Sequence, residues 1–207
     1  VLTIDGTQTF RYESVYFDTH DLASYLGAAH RRPRRFKVRT RTYLDTSSCM
    51  LEVKTRDVRS RTVKHRHPYD ITHRADLTEA GRRFVASIAQ AEAAAHRLRP
   101  TLTTAYRRAT LLLPGIAGAV ARVTIDVDLT WERPDGHGTR LDRLALIETK
   151  TLGKPCSVDR ALWRLGHRPV AISKYGTGLA AVCPELPANK WNRVLRDHFD
   201  WLPTRVM

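Results

Sequence analysis

Apolar and polar residues alternate with a period of two over several long stretches of this chain, and a helical period replaces that alternation in the middle and near the end. Residues 12–18 (YESVYFD) read as a strand, followed by a short helix to about residue 29 with Leu22, Tyr25 and Leu26 on one face. A basic loop at 30–35 (HRRPRR) leads into a strand at 35–44, a turn at 45–48 and a strand at 49–56, which together read as an antiparallel hairpin. A further strand at 60–67 is expected to stop at Pro68. Residues 77–98 are rich in alanine and carry Phe84, Val85, Ile88, Ala91 and Ala95 at helical spacing, with Thr78 as the expected N-cap and Pro100 closing the segment. Strands return at 102–113, 120–133 and 141–151, the last two joined by the turn DGHG at 135–138. Helices are expected at 157–165, from Ser173 to Val182, and at 189–201, where Trp191, Val194, Leu195 and Phe199 share a side.

The polar half of the strand pattern is charged. Lys37, Arg39 and Arg41 share one face of their strand while Phe36, Val38 and Thr40 share the other. Glu52, Lys54 and Arg56 alternate with Leu51, Val53 and Thr55. Thr62, Lys64 and Arg66 repeat the pattern. So do Arg122, Thr124, Asp126 and Asp128, and Glu148 with Lys150. Neighbours on one face stand about 6.6 Å apart. Two cations at that distance repel by roughly 0.6 kcal/mol in water, and by about 2.5 kcal/mol at an effective dielectric of 20. A solvated sheet face tolerates such rows. An enclosed one needs anions or facing acids, as in an antiparallel barrel with a polar lumen.

Composition sharpens this. Among 207 residues, 35 Lys and Arg stand against 21 Asp and Glu, a net charge of +14, and 28 of the cations are Arg. Arg presents a planar fork that matches phosphate oxygens. A polyanionic partner is implied. Aromatic content of 8%, acids interleaved with the bases, and no recognisable nucleic-acid-binding motif argue against nucleic acid. No apolar run approaches the ~18 residues of a membrane span. The opening VLTIDGTQTF is neither basic nor continuously apolar, so no secretory leader is read. Cys49, Cys156 and Cys183 fit neither a disulfide framework nor a zinc site, which fits a reducing compartment.

Eight segments in order carry a family resemblance: FRYESVYFDT (10–19), RRFKVRTRTYLD (34–45), LEVKTR (51–56), TVKHRHPY (62–69), YRRATL (106–111), RVTIDVDL (122–129), LIETK (146–150) and SKY (173–175). As a set they resemble the VTC domain in its bacterial form. This is the polyphosphate polymerase domain of the vacuolar transporter chaperone type, within the wider triphosphate tunnel metalloenzyme or CYTH-like superfamily. The resemblance implies an α+β fold: an eight-stranded antiparallel β-barrel, the triphosphate tunnel, with flanking helices and a C-terminal amphipathic helix. The tunnel domain is expected over 1–185 and a helical tail over 186–207. Family members open with a strand bearing a basic-acidic-Lys-Tyr motif, which residues 1–9 do not show. The expectation is that this strand precedes the present sequence or is absent from it.

Carried over by position, the resemblance implies catalytic roles for Arg39 and Arg41 (the RxR strand), Lys54 (ExK), Arg108 (Tyr-x-Arg), Arg122, Lys174 (SKY) and Glu148. Lys64, Arg66 and Lys150 join the expected phosphate-binding cations. Glu148 matches the acid that holds Mn²⁺ or Mg²⁺ in the family. Asp126, Asp128 and Glu52 read either as further metal ligands or as partners of lumen arginines. The implied activity is transfer of the ATP γ-phosphate onto a polyphosphate chain. The alternatives are an inorganic triphosphatase or other nucleotide triphosphate hydrolase of the same fold, and a non-catalytic polyphosphate-binding module. The implied partners are ATP, polyphosphate, triphosphate and pyrophosphate. The implied location is the cytoplasm, with attachment to the inner face of a membrane through a partner left open.

Overall fold

Eight strands pair into one sheet, antiparallel at every junction: β1 (Thr9–Asp18), β2 (Arg35–Tyr43), β3 (Ser48–Arg56), β4 (Thr62–Tyr69), β5 (Arg99–Pro114), β6 (Val120–Glu132), β7 (Gly138–Leu141) and β8 (Leu146–Lys150). The computed structural model describes residues 1–56, 61–114, 120–151 and 153–202. Ser60, the expected first residue of the fourth strand, lies outside them. The order across the sheet is β4-β3-β2-β1-β5-β6, after which β6 pairs with both β7 and β8. Among the described residues β4 does not pair with β7 or β8. The sheet is therefore a curled half-barrel rather than a ring of hydrogen bonds. Its strands, and the helices α1 (Ala23–Ala29), α2 (Glu79–Ala86), α3 (Ser157–Arg164), α4 (Lys174–Val182) and α5 (Asn192–His198), are the α+β architecture expected from the sequence.

Two expected elements are broken. The helix expected over 77–98 ends at Ala86 and resumes as a 3₁₀ segment, Glu92–Arg97. The Ser87 hydroxyl donates to the Phe84 carbonyl and turns the chain. Arg82 then ties the two pieces by donating to the carbonyls of Ala95 and Leu98 at 3.0 and 3.1 Å. Alanine periodicity continued through this turn because both pieces bury small residues on the same layer. The strand expected over 141–151 is also two. Arg143 has a φ of 58°, outside the extended region. β7 therefore pairs with Leu129–Glu132 and β8 separately with Arg122–Asp126. Pro68 does not stop β4, because β4 is an edge strand whose outer side needs no ladder donor.

Alternation along β1 divides the core. Val15 and Phe17 face one layer with Val38, Leu51 and Val53, against Val85, Ile88 and Ala91 of the α2 layer. Tyr16 faces the other, with Leu102, Tyr106, Leu129 and Trp131, against Tyr25, Tyr175 and Leu179 of α1 and α4. Trp191, Leu195 and Trp201, all beyond residue 185, pack into this second cluster. α4 approaches so closely that a Cβ on Gly178 would stand 2.0 Å from Trp131, and one on Gly176 2.3 Å from Trp191. The GTG sequence is thus a contact surface that lets the helix N-terminus reach into the concave face of the sheet.

Candidate functional site

Strand register brings the charged residues onto one face. Arg39 of β2 stands between Tyr16 of β1 and Glu52 of β3, and Glu52 stands between Arg39 and Arg66 of β4. Glu52 is 2% exposed and is the centre of this group. Its Oε2 accepts from Arg39 Nε and Nη2 at 2.8 and 2.6 Å, and its Oε1 accepts from Arg66 at 3.1 Å and from Lys64. Burial alone would raise its carboxyl, but Arg39, Arg41 and Lys64 outweigh burial and hold it at about 2.

A second acid is similarly enclosed. Asp126 of β6 lies opposite Arg108 of β5, which donates twice to it at 2.5 and 2.7 Å. Lys174, the first residue of α4, pairs with the same carboxylate. Asp126 is 1% exposed, and both its oxygens are taken. Lys174 is fixed from behind. Its carbonyl accepts from Trp131 Nε1 at 2.7 Å, and the Tyr175 hydroxyl donates to Asp18 at 2.5 Å. Asp18, wholly buried, also accepts from the backbone N–H groups of Thr19, Ser24 and Tyr25, so one carboxylate pins β1, α1 and α4 together.

Tyrosine rings floor the space between the two acids. Arg41 donates to the Tyr106 hydroxyl at 3.1 Å, and Arg41 and Arg108 lie over the Tyr12 ring. Lys174 sits 4.6 Å from the Tyr106 ring centroid. Arg39 donates to the Tyr16 hydroxyl at 3.1 Å. Burial would raise the Tyr16 phenol, but Arg39, Lys37, Arg41 and Lys174 bring it down to about 8. The Lys37 amine, donated to Ser173 Oγ at 3.0 Å, is pushed down to about 8 by burial and by the cations Arg39, Lys54 and Lys190. Along one rung, Arg41 Nε, Ser14 Oγ and Thr104 Oγ1 are all buried without a protein partner. Each such group costs about 1–3 kcal/mol when unsatisfied. A polar ligand lying across β2, β1 and β5 would satisfy all three.

Glu148 differs from the other acids. It lies opposite Thr124 on β8, half-exposed, with Lys150 at 3.3 Å. Burial would raise it, but Lys150, Arg108 and Lys174 hold it below the usual range. Burial and the neighbouring Arg39 and Lys150 push the Lys54 amine down, with Glu148 acting against them.

The structure thus gathers Arg39, Arg41, Lys54, Lys64, Arg66, Arg108, Lys150, Lys174, Glu52, Asp126 and Glu148 on one face. Arg122 stands further out, exposed, opposite Lys150. Asp128 stands apart. A register shift at Ala105/Arg107 and a φ of 55° at Asp128 turn it out of the groove to pair with Arg107 at 2.6 Å. Strict alternation places Asp128 beside Asp126, and a bulge is what undoes it. Tyr16, Tyr106, Lys37 and Ser173 also stand against this face; the family segments contain them, but no role was carried over to them. The period-two pattern carries Tyr12, Ser14 and Tyr16 on one face, which is the signal that finds Tyr16.

Among the described residues no three His, Cys, Asp or Glu side chains form a ready metal cage. The donors do suit a hard cation held by one carboxylate, Glu148, with phosphate and water completing the shell, as Mg²⁺-type sites use. Asp126 is committed to its cations. No helix among the described residues is long and apolar enough to cross a membrane.

A family model described as VTC domain matches residues 1–183. No curated protein matches the chain. Among solved structures, the chain is similar to the putative adenylyl cyclase HpAC1 from Hippeastrum, described as having a dominant triphosphatase activity. That similarity has 12% identity and a TM-score of 0.35, over 79% of this chain and 85% of that one. With most of its length matched, the chain belongs to the VTC domain family.

Proposed function

We propose that this protein is a metal-dependent phosphotransferase that moves the γ-phosphate of ATP onto a polyphosphate chain. The observation that supports the reading is the enclosed face on which Arg39, Arg41, Arg108 and Lys174 converge beside a half-exposed carboxylate, Glu148. Phosphoryl transfer needs little covalent chemistry from protein and much positioning and charge neutralisation. In this reading Arg39, Arg41, Arg108 and Lys174 hold the non-bridging phosphate oxygens, with Lys54, Lys64, Arg66, Arg122 and Lys150 toward the periphery. Hydrogen bonds to charged groups contribute about 1.5–3 kcal/mol each. The family also implies a divalent cation, Mn²⁺ or Mg²⁺. Glu148 would hold it, and when bound it neutralises charge on the transferring group. The terminal oxygen of the acceptor chain attacks the γ-phosphorus, the bond to the β-phosphate oxygen breaks, and ADP leaves. No protein nucleophile is required.

Incubation with ATP and Mn²⁺ or Mg²⁺ tests the reading. ADP together with long-chain polyphosphate is the expected result. ADP with free phosphate would instead assign the groove to an inorganic triphosphatase or nucleotide hydrolase, in which water takes the acceptor's place. Tight polyphosphate binding without turnover would make it a binding module.

A further inference from the structure

Charge balance on the groove face stops at Glu52. The rung Arg39–Glu52–Arg66 alternates in sign. The next one out sets Lys37 against Lys54, which faces Lys64 in turn, Lys64 alone of the three reaching back to Glu52 among the described residues, and the one beyond sets Arg35 against Arg56. Like charges directly opposite on neighbouring strands destabilise a sheet, and two successive rungs of them are unusual without a counter-charge. Over these rungs lies a cleft lined by Arg35, Lys37, Lys54, Arg56, Lys190 and Trp191. Lys190 arrives from the segment between α4 and α5. Its Nζ donates to the Ala28 carbonyl at 3.4 Å and lies over the Trp191 ring. Among the described residues no carboxylate lines the cleft, and none of its five cations is in an ion pair. Burial and the neighbouring Arg35, Arg31 and Arg56 push the Lys190 amine down. Lys190 and Trp191 lie beyond residues 1–183, so the segment matched by the family does not build this side of the cleft.

We propose that the cleft formed by Arg35, Lys37, Arg56 and Lys190 is a second anion subsite. It takes the phosphates of a linear polyphosphate that lie beyond the groove, and so makes binding depend on chain length. This rests on reading the groove as a phosphate-chain site. Lys37 and Lys54 are shared: they border the groove through Tyr16 and Glu148 and the cleft through Arg35 and Arg56. A chain leaving the groove past them meets Arg56 and Lys190 next.

The test is equilibrium binding of tripolyphosphate and of long linear polyphosphate, at one ionic strength, to the wild type, Lys190→Ala and Arg56→Ala. Each variant is expected to lose roughly fivefold in affinity for the long chain. Triphosphate affinity is expected to stay within about twofold of wild type, and Lys190→Arg should restore long-chain binding. Unchanged long-chain affinity in both variants, with triphosphate still bound, would overturn the subsite and leave the groove reading standing. Equal loss for both ligands would also overturn it. Failure of the wild type to bind either ligand would remove the groove reading, and the subsite with it.

Discussion

Glu148, Glu52 and Tyr16 occupy one concave surface, yet their surroundings assign them different work. Of the three groove acids Glu52, Asp126 and Glu148, Glu148 is the one whose carboxylate no arginine grips among the described residues. Glu148→Gln is therefore expected to abolish turnover of ATP with Mn²⁺ while leaving the melting temperature within a few degrees of wild type; full activity would place the metal elsewhere. Glu52 is held at about 2 against an ordinary 4.5. That depression contributes stability at neutral pH, on the order of 3 kcal/mol, which is lost as pH falls from 4.5 through 2. Glu52→Gln should thus be less stable than wild type by about that amount in urea at pH 7, and the gap should narrow at pH 3. A gap that is constant with pH would mean that the Arg39, Lys64 and Arg66 pairs contribute nothing through charge. Tyr16 and Lys37, both brought to about 8, respond in the same direction to an arriving anion and to rising pH. A phosphate chain neutralises the cations around the phenol and stabilises the ammonium, so both groups hold their protons more tightly in the complex. Triphosphate binding is expected to take up protons near pH 8 and to weaken above it. Calorimetry in buffers of different ionisation enthalpy reads that uptake, and none would contradict the geometry. At this scale, the placement of Arg39, Arg41 and Glu148 on the charged face was legible in the sequence because strict alternation holds along their strands, whereas Arg108 came from the family resemblance alone. Asp128 was not, because a single bulge reverses its side.

Between residue and fold, α4 is the element that completes the groove. Ser173 caps it by accepting from the Gly176 N–H at 3.0 Å, and two glycines let it lie against Trp131 and Trp191. Gly178→Ala forces a methyl group onto the Trp131 indole. The helix must retreat, and Lys174 with it. Destabilisation of about 1–3 kcal/mol is expected, together with a loss of triphosphate affinity that a surface glycine substitution such as Gly153→Ala does not share. Retained affinity would detach Lys174 from the site. The sequence shows the helix from Ser173 through Val182 and its cap plainly, since a serine, a lysine and small residues precede an apolar run. It overextends the helix at 77–98 because alanine favours helix on both sides of a turn that only Ser87 and the Arg82 guanidinium define. The split between β7 and β8 is likewise invisible in a pattern whose apolar spacing runs through Arg143.

Across the whole molecule the net charge is +14; Glu52, Asp126 and Glu148 sit among the groove cations, and at one end of the groove five cations meet no carboxylate among the described residues. Hairpins join β2 to β3, β3 to β4 and β5 to β6, while the β1–β5 pair joins strands far apart in the sequence; alternation alone showed seven strands, and the eight-stranded antiparallel architecture came from the family resemblance. How far the curl closes could not be read, because strand closure depends on edges that sequence alternation does not mark. The account turns on phosphate oxygens fitting between the two buried acids. A structure of the protein with tripolyphosphate and Mn²⁺ tests that directly. Phosphates within about 3 Å of Arg39, Arg41, Arg108 and Lys174, across Ser14 and Thr104, with the ion on Glu148, are the predicted result. Phosphate bound only outside this face, with Arg39 and Arg108 still wholly engaged by Glu52 and Asp126, would contradict it.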